Sequence, residues 1–264
     1  LRGNTVQQTS DLYKRLRADE NSWFETRVVV GESGNLITEH GEKILFGGTG
    51  IIVARDSPDS GFTESTVRSV DTYTSMLENK PAIGKVIKQQ IDIEMSNPAG
   101  ELPRMALVVP YVRVCTETEQ SEWLKQGEFY IDERHITNNS DGLDILTLHG
   151  FDALMKAEQD YATTSLNWPA RDIDIVREIA GFLGVEVDSR TVDLMTEGYT
   201  LPLPTGYSVS EYLSYIATMY VGNWIMTEQG ELRLVSITEL PKETRYLVDN
   251  AGYALVFGDT RILV

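Results

Sequence analysis

The sequence is poor in the residues that cross-link chains or hold metal ions. It has one cysteine, Cys115, and three histidines: His40, His135 and His149. A lone cysteine excludes an intramolecular disulfide framework and any multi-cysteine zinc site. The histidines lack the His-x-x-x-His or His-Glu-x-x-His spacing of helical zinc sites. The sequence therefore singles out no metal-binding residue.

Positive charge is also scarce. There are 23 Lys and Arg against 40 Asp and Glu, giving a net charge of -17. The excess is spread along the chain, because residues 1–150 hold 15 bases and 23 acids and residues 151–264 hold 8 and 17. Binding to phosphates requires clustered Lys and Arg, so specific nucleic-acid binding and docking on anionic membranes are both disfavoured.

Long apolar runs are missing too. The best candidate, residues 106–114, is interrupted by Pro110 and Arg113, so no membrane anchor is expected. The composition, 41% apolar and 24% charged over 264 residues, is typical of one large or two modest folded domains. The chain starts at Leu1 and stops on an apolar segment, residues 262–264, so we expect further chain on both sides.

The first half reads mainly as strands. A short helix is predicted after Thr9 or Ser10, with Leu12, Tyr13 and Leu16 on one side. Residues 67–76 and 83–95 fit either helix or strand, with strand favoured at 91–95. Strands separated by turns indicate a barrel or sandwich rather than βαβ units. The strands predicted outright are 24–30, 44–46, 51–54, 107–114, 127–132 and 143–148.

Near residue 150 the pattern becomes helical. A short helix is predicted at 151–158 and a longer one at 172–183, which Gly184 ends. Residues 208–221 form the clearest helix, because Ser208 and Glu211 have capping-box spacing and Gly222 follows as a stop. Tyr207 and Tyr212 are expected to pack within this helical region. A hairpin is predicted around residues 228–230, and strands return at 246–248 and 254–257.

These patterns together predict a mainly β α+β fold in which a barrel or sandwich is followed by a helical region. Residues 1–149 would form an N-terminal helix and the first β domain, and residues 150–237 a helical αβ subdomain. Residues 238–264 would return to strands of a β domain that continues beyond the end of this sequence.

No motif for catalysis or cofactor binding emerges. The glycine-rich stretch 46–50 is followed by an apolar strand instead of the Lys-Ser/Thr of a phosphate loop, so a bulge or tight bend is expected. Cys115 lies near Glu117 and Glu119, which disfavour its thiolate. His135 is expected in a solvated turn beside Asp132 and Glu133, and His149 in a structural hydrogen bond. No catalytic residue and no cofactor are predicted.

A series of motifs between residues 127 and 235 is distinctive as a set. In order, they are 127–132 (GEFYID), 144–156 (DILTLHGFDALMK), 160–161 (DY), 168–170 (WPA), 173–185, 201–217 (LPLPTGYSVSEYLSYIA), 222–224 (GNW) and 230–235 (GELRLV). With these segments the chain resembles the tail hub proteins of phages and prophages, in particular the baseplate hub of contractile tails and the N-terminal hub region of siphophage tail-associated proteins. The resemblance covers roughly residues 12–264, with departures at Trp168-Pro169-Ala170 and Ser210-Glu211.

The resemblance implies a non-enzymatic structural protein. It also implies that the β domains are barrel-like tube domains and that the helical αβ region is inserted between them. Such a protein forms a homotrimeric ring that continues the tail tube to the tip, and DNA passes through it without specific binding. The implied partners are the tail tube or distal tail protein, the tape-measure protein, and spike or fibre components. The implied location is the tail tip or baseplate of a virion, after synthesis in the bacterial cytoplasm.

Two other interpretations remain open at this stage. The chain could be a tail-tip carbohydrate-binding or peptidoglycan-degrading protein, since its 40 acids allow chance carboxylate pairs. It could also be an unrelated protein whose similarity to the hub motifs is accidental. Acidity favours the ring, because an acidic channel wall repels a passing polyanion.

Overall fold

The computed structural model describes most of the chain with gaps. The described residues are 7, 9–31, 45–46, 50–51, 62, 65–74, 82–96, 105–138, 144–161, 165–203, 205–236, 256–257 and 260–261. The predictions for residues 246–248 and 262–264, and His40, lie outside these ranges. The proposed division at residues 149–150 and 237–238 stays a prediction.

Within these ranges the protein is an α+β fold dominated by antiparallel strands, as predicted. The strands are β1 (Trp23–Gly31), β2 (Leu45–Phe46), β3 (Gly50–Ile51), β4 (Val67–Thr74), β5 (Gln89–Ser96), β6 (Leu107–Cys115), β7 (Leu124–Lys125), β8 (Phe129–Asn138), β9 (Asp144–Phe151), β10 (Ala170–Arg171), β11 (Glu186–Val187), β12 (Thr200–Leu201), β13 (Gly222–Met226), β14 (Glu231–Ser236), β15 (Val256–Phe257) and β16 (Thr260–Arg261). The helices are α1 (Asp11–Arg17), a 3₁₀ helix (Ala153–Glu158), α2 (Asp172–Leu183), α3 (Ser189–Leu194) and α4 (Val209–Met219).

The main sheet is curved around one core. Its strand order is β1-β6-β8-β9-β5-β4, and β7 pairs with β6. Val28 of β1 exchanges backbone hydrogen bonds with Phe62, which packs on the same core. Among the described residues β1 and β4 do not pair with each other, so the sheet is barrel-like but not closed. Its buried residues come from every strand of the path: Val28, Val67, Ile91, Ile93, Met95, Val108, Phe129, Ile131, Leu146 and Leu148.

Helix α1 closes one end of this sheet. Its N-cap is Ser10, whose hydroxyl accepts a hydrogen bond from the Tyr13 N–H at 3.0 Å. Tyr13 and Leu16 are buried against Val114 and Leu124. The helix predicted from its cap and its apolar side is therefore confirmed.

A second core lies in the helical region. Helices α2 and α4 and the 3₁₀ helix pack against a small sheet of order β11-β14-β13, in which β11 runs parallel to β14. Trp224 of β13 is fully buried there, and its Nε1 donates to the Leu213 carbonyl oxygen at 2.7 Å. The predicted hairpin around residues 228–230 is the β13–β14 pair.

The ends of the long helices follow local signals, with one correction. Helix α2 ends at Gly184, whose φ of 77° is left-handed as the glycine predicts. The predicted capping box of α4 is present between Ser208 and Glu211. The predicted stop at Gly222 is wrong: α4 ends at Met219, Val221 carries the left-handed φ of 52°, and Gly222 begins β13.

We expect Ser208→Ala to lower the free energy of unfolding by about 1 kcal/mol, because it removes the acceptor for the Glu211 N–H at 3.1 Å. Ser210→Ala, two residues along the same chain, is the matched control. It should be neutral or slightly stabilising, since alanine is the better helix former. Urea denaturation monitored by circular dichroism measures both variants, and equal stability of the two would contradict this role for the cap.

The segments left open between helix and strand resolve as strands. Residues 67–74 form β4, and β5 begins at Gln89. The helix predicted from residue 151 is a 3₁₀ helix that starts at Ala153, because Phe151 still belongs to β9 and Asp152 is the N-cap. Helix α3 and the short strands β10, β11 and β12 were not predicted.

Candidate functional surface

The solvent-facing side of the main sheet carries a row of three acidic residues and one histidine across four strands. The register places Asp71 of β4 opposite Asp92 of β5, Asp92 opposite His149 of β9, and His149 opposite Glu133 of β8. Side chains alternate between the faces of a sheet. Because the neighbouring Ile91 and Ile93 are fully buried, Asp92 and the rest of its row face solvent.

A second row lies beside the first. Glu94 pairs in register with Ser69 and with Thr147. An irregularity between Val67 and Ser69 brings the Arg68 guanidinium to 3.7 Å from the Glu94 carboxylate. That ion pair is exposed and contributes little to stability. We call Asp71, Asp92, Glu94 and Glu133 the acidic sheet face.

Two contacts show how the acidic sheet face is organised. His149 Nδ1 lies 2.6 Å from Asp92 Oδ1, and the imidazole packs edge-on against Phe151. Desolvation and the nearby Asp92 carboxylate raise the pKa of Tyr73, as expected in a negative potential. The structural hydrogen bond predicted for His149 is confirmed, although the residue lies within β9 rather than at its end.

Strand β8 extends this surface into an open cleft. The register of the β8–β9 pair shifts between Ile131 and Glu133, and residues 132–137 are exposed. The predicted turn around His135 is wrong, because His135 belongs to β8, where it pairs with Thr147. The cleft is lined by Ile131, Asp132, Glu133, Arg134, His135, Thr147 and His149.

On the same side of the sheet, strands β1 and β6 carry two arginines, so the surface there is not predominantly acidic. The guanidinium groups of Arg27 and Arg113 lie 4.7 and 4.4 Å from the ring centroid of Trp123. Arg113 also pairs with Glu25 at 2.6 Å, and both side chains are about one-fifth exposed. The negative charge is therefore concentrated on the β4-β5-β9-β8 part of the sheet.

Cys115 is buried at the end of β6 and is not poised as a nucleophile. Burial and the carboxylate of Glu25 raise its thiol pKa. An elevated thiol pKa was predicted, but the acid responsible is Glu25 on the paired strand rather than Glu117 or Glu119. The neutral thiol is therefore the dominant form near pH 7.

Among the described residues, the other sequence candidates are not brought together into one site. Strands β2 and β3 pair with each other through Phe46 and Gly50, and the bend predicted at residues 47–49 lies outside the described ranges. Within the described ranges, no group of three or more His, Cys, Asp or Glu side chains is arranged to hold a metal ion. In the same part of the chain, no helix is long and apolar enough to cross a membrane.

Comparison with known proteins gives structural similarities only. No protein-family model matches the chain, and no curated protein sequence matches it. A 43 kDa tail protein of prophage MuSo2 from Shewanella oneidensis is similar over 90% of this chain, with 12% identity and a TM-score of 0.47. A tail protein from Neisseria meningitidis MC58 is similar over 80%, with 10% identity and a TM-score of 0.40. A Francisella PdpA-VgrG complex is similar over 87%, with 6% identity and a TM-score of 0.42.

The chain is shorter than these proteins. It spans 60% of the length of the Shewanella protein, 51% of the Neisseria protein and 35% of the chain in the Francisella complex.

Proposed function

We propose that this chain is a structural component of a phage or prophage tail and has no catalytic step. Three copies would form a hub ring that continues the tail tube, with the acidic sheet face lining the channel through which DNA passes. The proposal starts from the hub-like motifs in residues 127–235. The motifs fall on β8 and β9 of the main sheet and on α4, β13 and β14 of the helical region.

The observation that carries the proposal is the acidic sheet face itself. Four carboxylates from β4, β5 and β8 share one solvent-facing side. In the described residues they are offset by the exposed ion pair of Glu94 with Arg68 and by the contact of Asp92 with the imidazole of His149. A channel wall for DNA must not bind phosphates. Charges within about 8 Å act on each other at physiological salt, so such a wall repels a strand in a narrow channel.

A ring of three identical subunits requires a particular type of contact between them. A threefold ring uses heterologous contacts, in which one surface of a subunit meets a different surface of the next. The expected neighbours are the tail tube or distal tail protein, the tape-measure protein, and spike or fibre components at the tail tip. DNA would pass transiently, with no specific contact.

Reversing the charge of the proposed channel wall should create DNA binding. In the variant Asp71→Lys/Glu94→Lys/Glu133→Lys, a ring of three copies would present its new lysines to one channel. We expect a Kd for a short DNA duplex of roughly 10⁻⁶ to 10⁻⁵ M at low salt, weakening steeply as salt rises. Fluorescence anisotropy measures this, and the unsubstituted protein should show no binding.

The matched control reverses three exposed acids of the helical region, Glu186, Asp193 and Glu197. Both variants change the net charge of -17 by the same amount. The control should bind DNA at least tenfold more weakly than the sheet-face variant. Equal binding by the two variants, or binding by neither, would contradict the assignment of this face to the channel.

A further inference from the structure

Four tyrosines cluster in the helical region, and two of them are half-exposed. The ring of Tyr212 lies 5.7 Å from that of Tyr161, 6.3 Å from that of Tyr207 and 6.1 Å from that of Tyr215. The rings of Tyr212 and Tyr215 are parallel within 3°. We call these four residues the tyrosine patch.

Folding explains only part of the tyrosine patch. Tyr212 is buried, and its hydroxyl donates to the Pro202 carbonyl oxygen at 2.9 Å. Tyr207 and Tyr215, however, are each 48% exposed, and the nearby Leu203 is 49% exposed. The prediction that Tyr207 packs within the helical region is therefore only partly met. Half-exposed aromatic rings around a buried anchor are typical of protein interfaces.

The charge around the tyrosine patch is negative. Asp160 is exposed and pairs through its backbone with Ser208, next to Tyr207, and in the described part of the chain no lysine or arginine pairs with its carboxylate. Glu178 accepts a hydrogen bond from the Tyr161 hydroxyl. Burial and the neighbouring Tyr215 raise the pKa of Tyr212 to about 12, and no cation contributes to that shift.

Few bases lie in the helical region, and four of them contact residues outside the patch. Residues 151–236 contain 13 Asp and Glu against 5 Lys and Arg. Arg177 pairs with Asp174 at 3.3 Å, and Arg190 pairs with Asp188. Lys156 and Arg171 donate to the carbonyl oxygens of Leu183 and Thr196. The patch is thus an aromatic surface in a field that favours a cationic partner.

The molecule itself contains the type of contact that such a partner would make. Arg27 and Arg113 stack on Trp123 in the main sheet, and Lys156 Nζ lies 3.7 Å from the ring centroid of Tyr130. A guanidinium group stacks flat on an aromatic face and also pairs with carboxylates, which makes it the best match to tyrosines flanked by acids.

We propose that the tyrosine patch docks an arginine-bearing segment of a neighbouring protein. A guanidinium group stacks on the exposed face of Tyr207 or Tyr215, and the carboxylate of Asp160 neutralises it. This surface is separate from the acidic sheet face, and its role does not depend on the channel or on the ring.

The test uses a fluorescein-labelled six-residue peptide of alternating glycine and arginine and the full 264-residue chain at physiological salt. Fluorescence anisotropy should show binding that falls at least tenfold in Tyr207→Ala/Tyr215→Ala. The control Tyr73→Ala removes a 44% exposed tyrosine from the acidic sheet face, and it should change the affinity less than twofold. Because Tyr212 and its hydrogen bond are kept, the double variant should stay folded, and its thermal unfolding temperature should fall by only a few degrees.

Two outcomes would overturn the proposal. Equal affinity of the tyrosine variant and the Tyr73→Ala control would mean that the peptide is attracted by diffuse negative charge alone. Binding of a chito-oligosaccharide that is lost in Tyr207→Ala/Tyr215→Ala, without peptide binding, would make the patch a sugar platform. A lysine version of the peptide should bind several-fold more weakly than the arginine peptide, because an ammonium group stacks less well on a ring.

Discussion

Replacing Trp224 with alanine is expected to lower the free energy of unfolding by about 3–5 kcal/mol. The side chain is fully buried in the core of the helical region, and truncation leaves a large cavity. It also removes the hydrogen bond that the Leu213 carbonyl oxygen accepts from the indole N–H at 2.7 Å. The backbone of Trp224 bonds to Lys85 and Ile87, just before β5, so this position also contacts the segment that leads into the main sheet.

Two matched substitutions separate the contributions at this position. Trp224→Phe keeps most of the ring volume but loses the hydrogen bond, so about 1–3 kcal/mol should be lost. Trp23→Ala removes a tryptophan that is 44% exposed, and it should cost about 1 kcal/mol or less. Urea denaturation followed by far-ultraviolet circular dichroism provides all three values. A cost for Trp224→Ala no greater than that for Trp23→Ala would refute this role of Trp224.

Asp152→Ala should lower the free energy of unfolding by about 2–4 kcal/mol, because the Asp152 carboxylate hydrogen-bonds to both the helical region and the main sheet. The carboxylate is almost fully buried and accepts hydrogen bonds from the Leu154 N–H at 3.0 Å and the Gln89 N–H at 2.8 Å. The first bond caps the 3₁₀ helix and the second holds the start of β5. Alanine leaves the buried Leu154 N–H and the partly buried Gln89 N–H without this acceptor. Urea denaturation measures the loss, and a change below 0.5 kcal/mol, as for an ordinary surface position, would contradict it.

The pH dependence of stability tests the same carboxyl group. Burial outweighs the two backbone hydrogen bonds and raises the pKa of Asp152 from 3.8 to about 7. Between these values the native state holds a proton that the unfolded chain has released. The stabilising free energy from the protonated Asp152 is therefore fully present below pH 3.8. It declines as the pH rises from 3.8 and is lost once the pH has risen through 7.

Asp152→Asn removes this titration and should reveal it by difference. From pH 5 to pH 8.5 the unsubstituted protein should lose about 3 kcal/mol relative to Asp152→Asn. Asp188→Asn is the control. Burial alone would raise the pKa of Asp188, but the Arg190 guanidinium outweighs burial and lowers that pKa below its usual value. That group titrates below the tested range, so its difference from the unsubstituted protein should be constant. A constant difference for Asp152→Asn would contradict the raised pKa.

The elements that the sequence predicted well are those with local signals. Helix α4 is predicted by the Ser208–Glu211 capping box and a periodic apolar face. Helix α2 is predicted by its apolar periodicity and by Gly184 after its last residue. The end of α4 was misplaced because the left-handed residue is Val221, whereas the pattern favours glycine there. Helix α3 was missed because six residues are too short to show a period.

The candidate surfaces could not be predicted, because they depend on contacts between distant parts of the chain. Asp71 and Glu133 are 62 positions apart in the sequence, yet the pairing of β4, β5, β9 and β8 places them on one face. No short sequence motif predicts strand register in a sheet whose neighbouring strands are not consecutive in the chain. For the same reason, the sequence did not predict the hydrogen bond between Gln89 and Asp152 or the closeness of Glu25 to Cys115.

We propose that this chain closes a threefold ring with the acidic sheet face toward its axis. Single-particle electron cryomicroscopy of the concentrated protein tests this ring most directly, with mass photometry of the 29.6 kDa chain to count its copies. We expect three copies around an open channel, with Asp71, Asp92, Glu94 and Glu133 on its inner wall. A monomer at every concentration, or a ring whose channel is lined by basic residues with these acids outside, would contradict the account.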